Sequence, residues 1–169
     1  MKRSGMTMLS LISLVLSGWT QTLQMFAGNE IPGSLQQSIQ QYLLGGGVEI
    51  ISIQYDGDPR AIGFFSNDQA EFQFKRGLAL SSGLVDSMAQ ANRSDNLSTA
   101  TSGLKYQADG LQTLVQQLDS SAQILFDVAK LTIRFRPASS SIAFRYFFAS
   151  EEYPQFACSD FNDVFGFFL

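Results

Sequence analysis

The 169-residue chain has no histidine, a single cysteine (Cys158), only four prolines, and no basic run longer than two residues. Without histidine there is no Ser-His-Asp or Cys-His catalysis, no imidazole acid–base chemistry and none of the commonest zinc sites. A lone cysteine has no disulfide partner within these residues. With 11 Lys and Arg against 15 Asp and Glu, and a formal charge of −4, the scattered cations offer no phosphate-tracking grip, and nucleic acid is not an expected partner. Charged residues make up only 15%, hydrophobic residues 45%, and mean hydropathy is +0.04. That balance supplies a packed core and is too apolar for a disordered tail. What remains is an acidic chain rich in Phe and Gly, one domain in size, whose activity must rest on carboxylates, amides, hydroxyls or surface shape.

The start of the chain reads as an export signal. Lys2 and Arg3 form a positive head, and residues 6–19 form an uncharged, mostly apolar stretch containing Leu9, Leu11, Ile12, Leu14, Val15 and Leu16. Three serines interrupt that stretch, and it falls short of the roughly 20 apolar residues of a membrane span. The expectation is a signal peptide over residues 1–27, cleaved between Ser17 and Gly28, and a secreted or cell-surface protein. Loss of Lys2 and Arg3 takes the formal charge from −4 to −6. Such a chain is soluble and is not drawn to anionic membranes.

After the leader, Ser34 caps a short helix in which Leu35, Ile39 and Leu43 share one side and a glycine triplet follows. Residues 48–55 read as a strand, ended by the turn residues Asp56, Gly57, Asp58 and Pro59. Residues 61–65, 71–74 and 77–80 are further short strands. Residues 86–108 read as a long surface loop, and Leu111, Leu114, Val115 and Leu118 mark a two-turn helix. Ile124, Phe126 and Val128 alternate with Leu125 and Asp127, and residues 131–135 repeat the pattern up to Pro137. In residues 141–149, Ile142, Phe144, Tyr146 and Phe148 alternate with Ala143, Arg145 and Phe147, the period of a half-buried antiparallel strand. Residues 164–169 are apolar on both faces, as in a central strand. The run stops inside this most apolar segment, so the expectation is the N-terminal part of a longer protein.

Eight of the fifteen phenylalanines lie between Phe144 and Phe168. Interleaved with them are Phe148, Ala149, Ser150, Glu151, Glu152, Tyr153 and Pro154, then Phe161, Asn162, Asp163, Val164, Phe165, Gly166, Phe167 and Phe168. This segment resembles the signature of the choice-of-anchor L domain, a family of secreted bacterial domains. Weaker likeness extends upstream through Leu43, Leu44 and Gly45, then Tyr55 and Gly57, then Ile62, Gly63 and Phe65, and the turn from Gly77 to Gly83. The resemblance covers residues 34–169. Around Asp109, Gly110 and Leu111 the match is looser, and the Gly-rich turn and strands that follow the final Phe pair in the family are not in this sequence. The resemblance implies a domain held to the cell envelope by a C-terminal anchor outside this chain.

The fold expected is mainly β: an antiparallel, jelly-roll-like β-sandwich with one or two short helices, incomplete at its C-terminus. Glu151, Glu152, Asp160, Asn162 and Asp163 fall within 13 residues between two apolar segments, a set of oxygen donors suited to calcium. The competing reading has them capping turns, with Glu151 paired to Arg145 or Arg134. Tyr153 and Phe156, which flank Pro154, are candidates for ligand binding, and Tyr146 and Phe161 are further rings able to stack on sugars. Phe144, Phe148, Phe165, Phe167 and Phe168 are expected in the core. Asp56 and Asp58 are assigned to their turn, and Cys158 is left either as a free thiol or as the partner of a cysteine beyond residue 169. The function expected is a non-enzymatic binding or adhesion module, calcium-stabilised, for an extracellular glycan or protein. The alternatives are a carbohydrate-active enzyme using carboxylates around Glu151 and Asp163, or a structural spacer of a larger surface protein.

Overall fold

The computed structural model of the chain describes residues 23–31, 33–45, 47–67, 73–89, 105–106, 111–118, 120, 124–150 and 164–169. Among these run seven strands and two helices: β1 (Leu23–Ala27), α1 (Leu35–Tyr42), β2 (Val48–Asp56), β3 (Ile62–Asn67), β4 (Arg76–Leu80), β5 (Lys105–Tyr106), α2 (Leu111–Leu118), β6 (Leu125–Phe126) and β7 (Lys130–Pro137). Single 3-10 turns cover Gly28–Glu30 and Val85–Ala89. The architecture is strand-rich, with a three-stranded antiparallel sheet in the order β1-β3-β4 and a two-stranded antiparallel sheet of β2 and β7. The short strands β5 and β6 form a minimal third pair.

The three-stranded sheet is covered on both faces, which is why its middle strand breaks the alternating pattern. Ile62, Gly63 and Phe64 are buried in succession. Phe64 faces α1, where its ring centroid lies 5.2 Å from that of Tyr42. Gly63 faces the opposite way, with Ala27 and Ala79 as its cross-strand partners. Ala27, Ala79 and the fully buried Val85 form a core cluster there, flanked by Met25 and Phe65. A β-carbon on Gly63 would stand 2.7 Å from the Phe26 carbonyl oxygen and 2.8 Å from Val85 Cγ2. Glycine at this position lets the 85–89 turn approach the sheet. Gly77, opposite Phe65, gives up its own side-chain space to the Phe65 ring.

Helix α1 begins with a reciprocal cap: the Gln37 amide donates to Ser34 Oγ, and the Ser34 amide donates to Gln37 Oε1. Ile39 is its fully buried residue, and Gly47 at φ +95° lets the chain turn toward β2. In the second sheet, Val48 to Ile50 pair with Pro137 to Phe135, and the register shifts by one at Ile51 before Ser52 pairs with Arg134. This bulge turns Ile51 outward and keeps Val48, Ile50, Ile53 and Tyr55 on the more buried side, facing the same way as Leu131, Ile133 and Phe135.

Several sequence expectations are corrected. Residues 23–27, the end of the expected signal peptide, form an edge strand whose Ala27 is 1% exposed, which leaves the bounds of the leader as expected. The expected loop over residues 86–108 contains most of the Val85–Ala89 turn and the strand β5. The expected strand over 124–128 shortens to β6, because Asp127 adopts φ +49° and ends the ladder. Of the expected strand 71–74, residues 73 and 74 lie in the turn before β4, where the Phe74 carbonyl accepts from Asn67 Nδ2 and the neighbouring Lys75 carbonyl accepts from the Asn67 amide. Glu71 and Phe72 lie outside the described residues. Residues 141–150 and 164–169 carry no regular secondary structure, and their rings are exposed rather than buried.

Candidate functional site

The exposed rings form one continuous feature. Phe144 stacks on Phe167 at 5.8 Å, Tyr146 contacts Phe165 at 5.7 Å and Phe167 at 5.5 Å, and Phe148 stacks on Phe165 at 5.7 Å. Phe165 and Phe167 meet edge to face at 5.0 Å. Partners fall as one segment advances and the other recedes, so the two segments run antiparallel with alternate residues on a common face. On the other face the Phe168 ring folds back over Gly166, which has no side chain to obstruct it.

Exposure of the aromatic residues along this ribbon ranges from 44% at Phe165 to 69% at Phe147. The expectation that Phe144, Phe148, Phe165, Phe167 and Phe168 form a core between two sheets is therefore corrected. The rings contact one another in a single layer, and a single layer leaves their outer faces to solvent. This contiguous aromatic surface is the largest exposed apolar feature among the described residues and so the candidate for a contact surface.

The Phe148–Phe165 contact brings together the two chain positions that flank residues 149–164. Glu151, Glu152, Asp160, Asn162 and Asp163, the candidate calcium donors, lie outside the described residues, as do Tyr153, Phe156, Cys158 and Phe161. Among the described residues, no group of three or more His, Cys, Asp or Glu side chains is placed to hold a metal ion.

The turn between β2 and β3 holds the strongest local electrostatics. Asp58 accepts from the Arg60 amide at 2.9 Å, from Arg60 Nε at 3.0 Å and from Arg60 Nη2 at 2.8 Å. These bonds to Arg60 hold the Asp58 carboxyl down to a pKa of about 2. The Tyr55 hydroxyl donates to the Asp58 carbonyl, which also accepts from the Ala61 amide. Burial, reinforced by the Asp58 charge, pushes the Tyr55 phenol up to about 12. Every one of these groups is engaged in closing the turn, as expected for Asp58, and Asp56 accepts from the Gln54 side chain. The constellation is a clamp and holds no reactive group.

A shallow depression of about 270 Å³ opens between α1 and the three-stranded sheet, lined by Phe26, Ile31, Ser38, Gln41, Tyr42 and Phe64. Sequence reasoning missed it. The helical spacing of Ser38, Gln41 and Tyr42 was the available signal, but Phe26 and Phe64 come from strands that only the fold brings beside them.

Among the described residues, no helix is long and apolar enough to cross a membrane. No curated protein and no solved structure gives a significant match to the chain. The family description "choice-of-anchor L domain" matches residues 30–169, which take in α1, α2, β2 to β7 and the aromatic ribbon and leave out residues 1–29, β1 among them. The chain belongs to the choice-of-anchor L domain family.

Proposed function

We propose that the protein is a secreted or surface-anchored, non-enzymatic binding module whose aromatic ribbon is its contact surface. The observation that carries this reading is the solvent-facing ladder of Phe144, Tyr146, Phe148, Phe165 and Phe167 in a domain of this family. Ring faces stack on the apolar faces of sugars and on protein side chains, and Tyr146 adds a hydroxyl at its rim. The two antiparallel sheets are read as parts of a jelly-roll-like sandwich that presents the ribbon. Export is supported by the Lys2 and Arg3 head and the uncharged stretch behind it, together with the family's association with surface and secreted proteins. A C-terminal anchor outside this chain would hold the module to the cell envelope.

The test is retention of the purified full chain on columns carrying an insoluble polysaccharide or an immobilised extracellular protein. Retention on one of them, weakened at least tenfold by the double substitution Tyr146→Ala and Phe165→Ala with circular dichroism unchanged, is the expected result. Equal passage of both proteins through both columns would overturn the assignment of the ribbon.

A further inference from the structure

We infer that the depression between α1 and the three-stranded sheet is a binding site for a small, uncharged aromatic compound carrying one hydrogen-bonding group, such as an aromatic amide. It shares no residue with the aromatic ribbon, so it is independent of the contact surface proposed above. Ser38, Gln41 and Tyr42 lie three and four residues apart on α1 and so project from one side of the helix. Across from them stand Phe26 and Phe64, directly opposed on β1 and β3, and Ile31 completes the lining.

The Ser38 hydroxyl is the observation that points to a ligand. The residue is only 6% exposed, yet its Oγ has no hydrogen-bond partner among the described residues. Its backbone amide donates to the Ser34 carbonyl, one turn earlier, and the hydroxyl does not join that bond. A serine inside a helix commonly turns its hydroxyl back to that carbonyl. Among the described residues, no side-chain nitrogen or oxygen sealed from solvent lacks a partner, so the access that Oγ keeps is through the depression it lines.

Size and charge set the ligand class. An enclosed apolar cavity of about 150 Å³ holds benzene, so a depression of about 270 Å³ admits one ring with a substituent. None of the six lining residues is charged. A carboxylate or ammonium group would give up its water with no counter-charge to meet it, whereas a neutral amide loses less on entry. The amide carbonyl accepts from the Ser38 hydroxyl, its NH₂ group donates to the Gln41 side-chain carbonyl, and its ring lies against the Phe26 and Phe64 wall.

Benzamide and benzoate, nearly equal in shape and different in charge, test the inference on the purified full chain by amide chemical-shift titration. Benzamide should bind saturably in the millimolar range, because so small a ligand in an open site buries few atoms. The amides of Phe26, Ser38, Gln41, Tyr42 and Phe64 should shift together. Benzoate should bind about tenfold more weakly or not at all. Ser38→Ala, which removes the hydroxyl and suits the helix, should weaken benzamide about threefold or more with circular dichroism unchanged. No saturation up to the solubility limit, shifts confined to the ribbon, benzoate binding as well as benzamide, or unchanged affinity in Ser38→Ala would each overturn the inference. The comparison of the two ligands uses the unaltered protein, so it decides the matter even where the variant fails to fold.

Discussion

At Gly63 the space ordinarily taken by a β-carbon is already filled by the Phe26 carbonyl and the Val85 methyl, with both contacts under 3 Å. Gly63→Ala should therefore lower stability by about 1–3 kcal/mol through overpacking, read as a loss of denaturant midpoint with unchanged slope. Tyr55 and Asp58 make opposite statements about pH. The folded carboxyl of Asp58 titrates near 2, below the unfolded value near 3.9, so its contribution is complete above pH 4 and is lost as pH falls toward 2. The folded phenol of Tyr55 titrates near 12, above its unfolded value near 10, so its contribution is present below pH 10 and lost as pH rises through 12. Asp58→Asn should flatten the acid limb of stability against pH, and Tyr55→Phe the alkaline limb. Arg60 is about half exposed, so solvent screening keeps the acid effect small. The turn role of Asp58 was legible in the sequence because Asp, Gly and Pro carry their turn chemistry locally. Arg60, which bonds the Asp58 carboxylate, lies two residues away, but the reach of the Tyr55 hydroxyl to the Asp58 backbone carbonyl depends on the strand end and was not visible.

Elements divide along the same line between local and distant causes. Helix α1 was readable from Ser34 and the fourfold spacing of Leu35 and Ile39, and its cap is a contact within one turn. Ser34→Ala should cost about 1 kcal/mol and raise amide exchange in the first turn of α1 while leaving β2 and β7 protected. Helix α2 was readable for the same reason. Strand β2 was readable as a strand, whereas its bulge at Ile51 was not, since a register shift exists only relative to β7. Strand β1 was not anticipated, because five residues, Leu23 to Ala27 with Gln24 among them, are too few to mark a strand without β3 beside them. The exposed ion pair of Arg136 with Glu49 at 2.7 Å bridges β7 and β2, yet with both side chains about two-thirds exposed it adds little to the pairing.

For the whole molecule, family and strand-rich class were legible in the sequence, and the exposure of the ribbon was not. Period-two alternation from Ile142 to Phe148 tells which rings share a face, but burial depends on what lies across from that face, and nothing within the segment encodes it. The calcium reading of Glu151, Glu152, Asp160, Asn162 and Asp163 is a whole-molecule question, because a cation bound only by the folded chain raises its melting temperature. If that reading holds, millimolar calcium raises the melting temperature by several degrees, chelator reverses the shift, and Asp160→Asn with Asp163→Asn abolishes it. An unchanged melting temperature in calcium removes the reading.

The two-stranded sheet sets the order of events in building this protein. Strand β2 ends at Asp56, and its partner does not begin until Lys130, so β2 must wait for most of the polypeptide before its backbone groups find their mates. Closing so long a loop is slow, and the waiting ribbon is vulnerable to wrong partners. On the export proposed above, this delay would be an advantage, since premature pairing would jam a threaded passage across the membrane. Holdase chaperones should therefore engage the newly made polypeptide most strongly around β2.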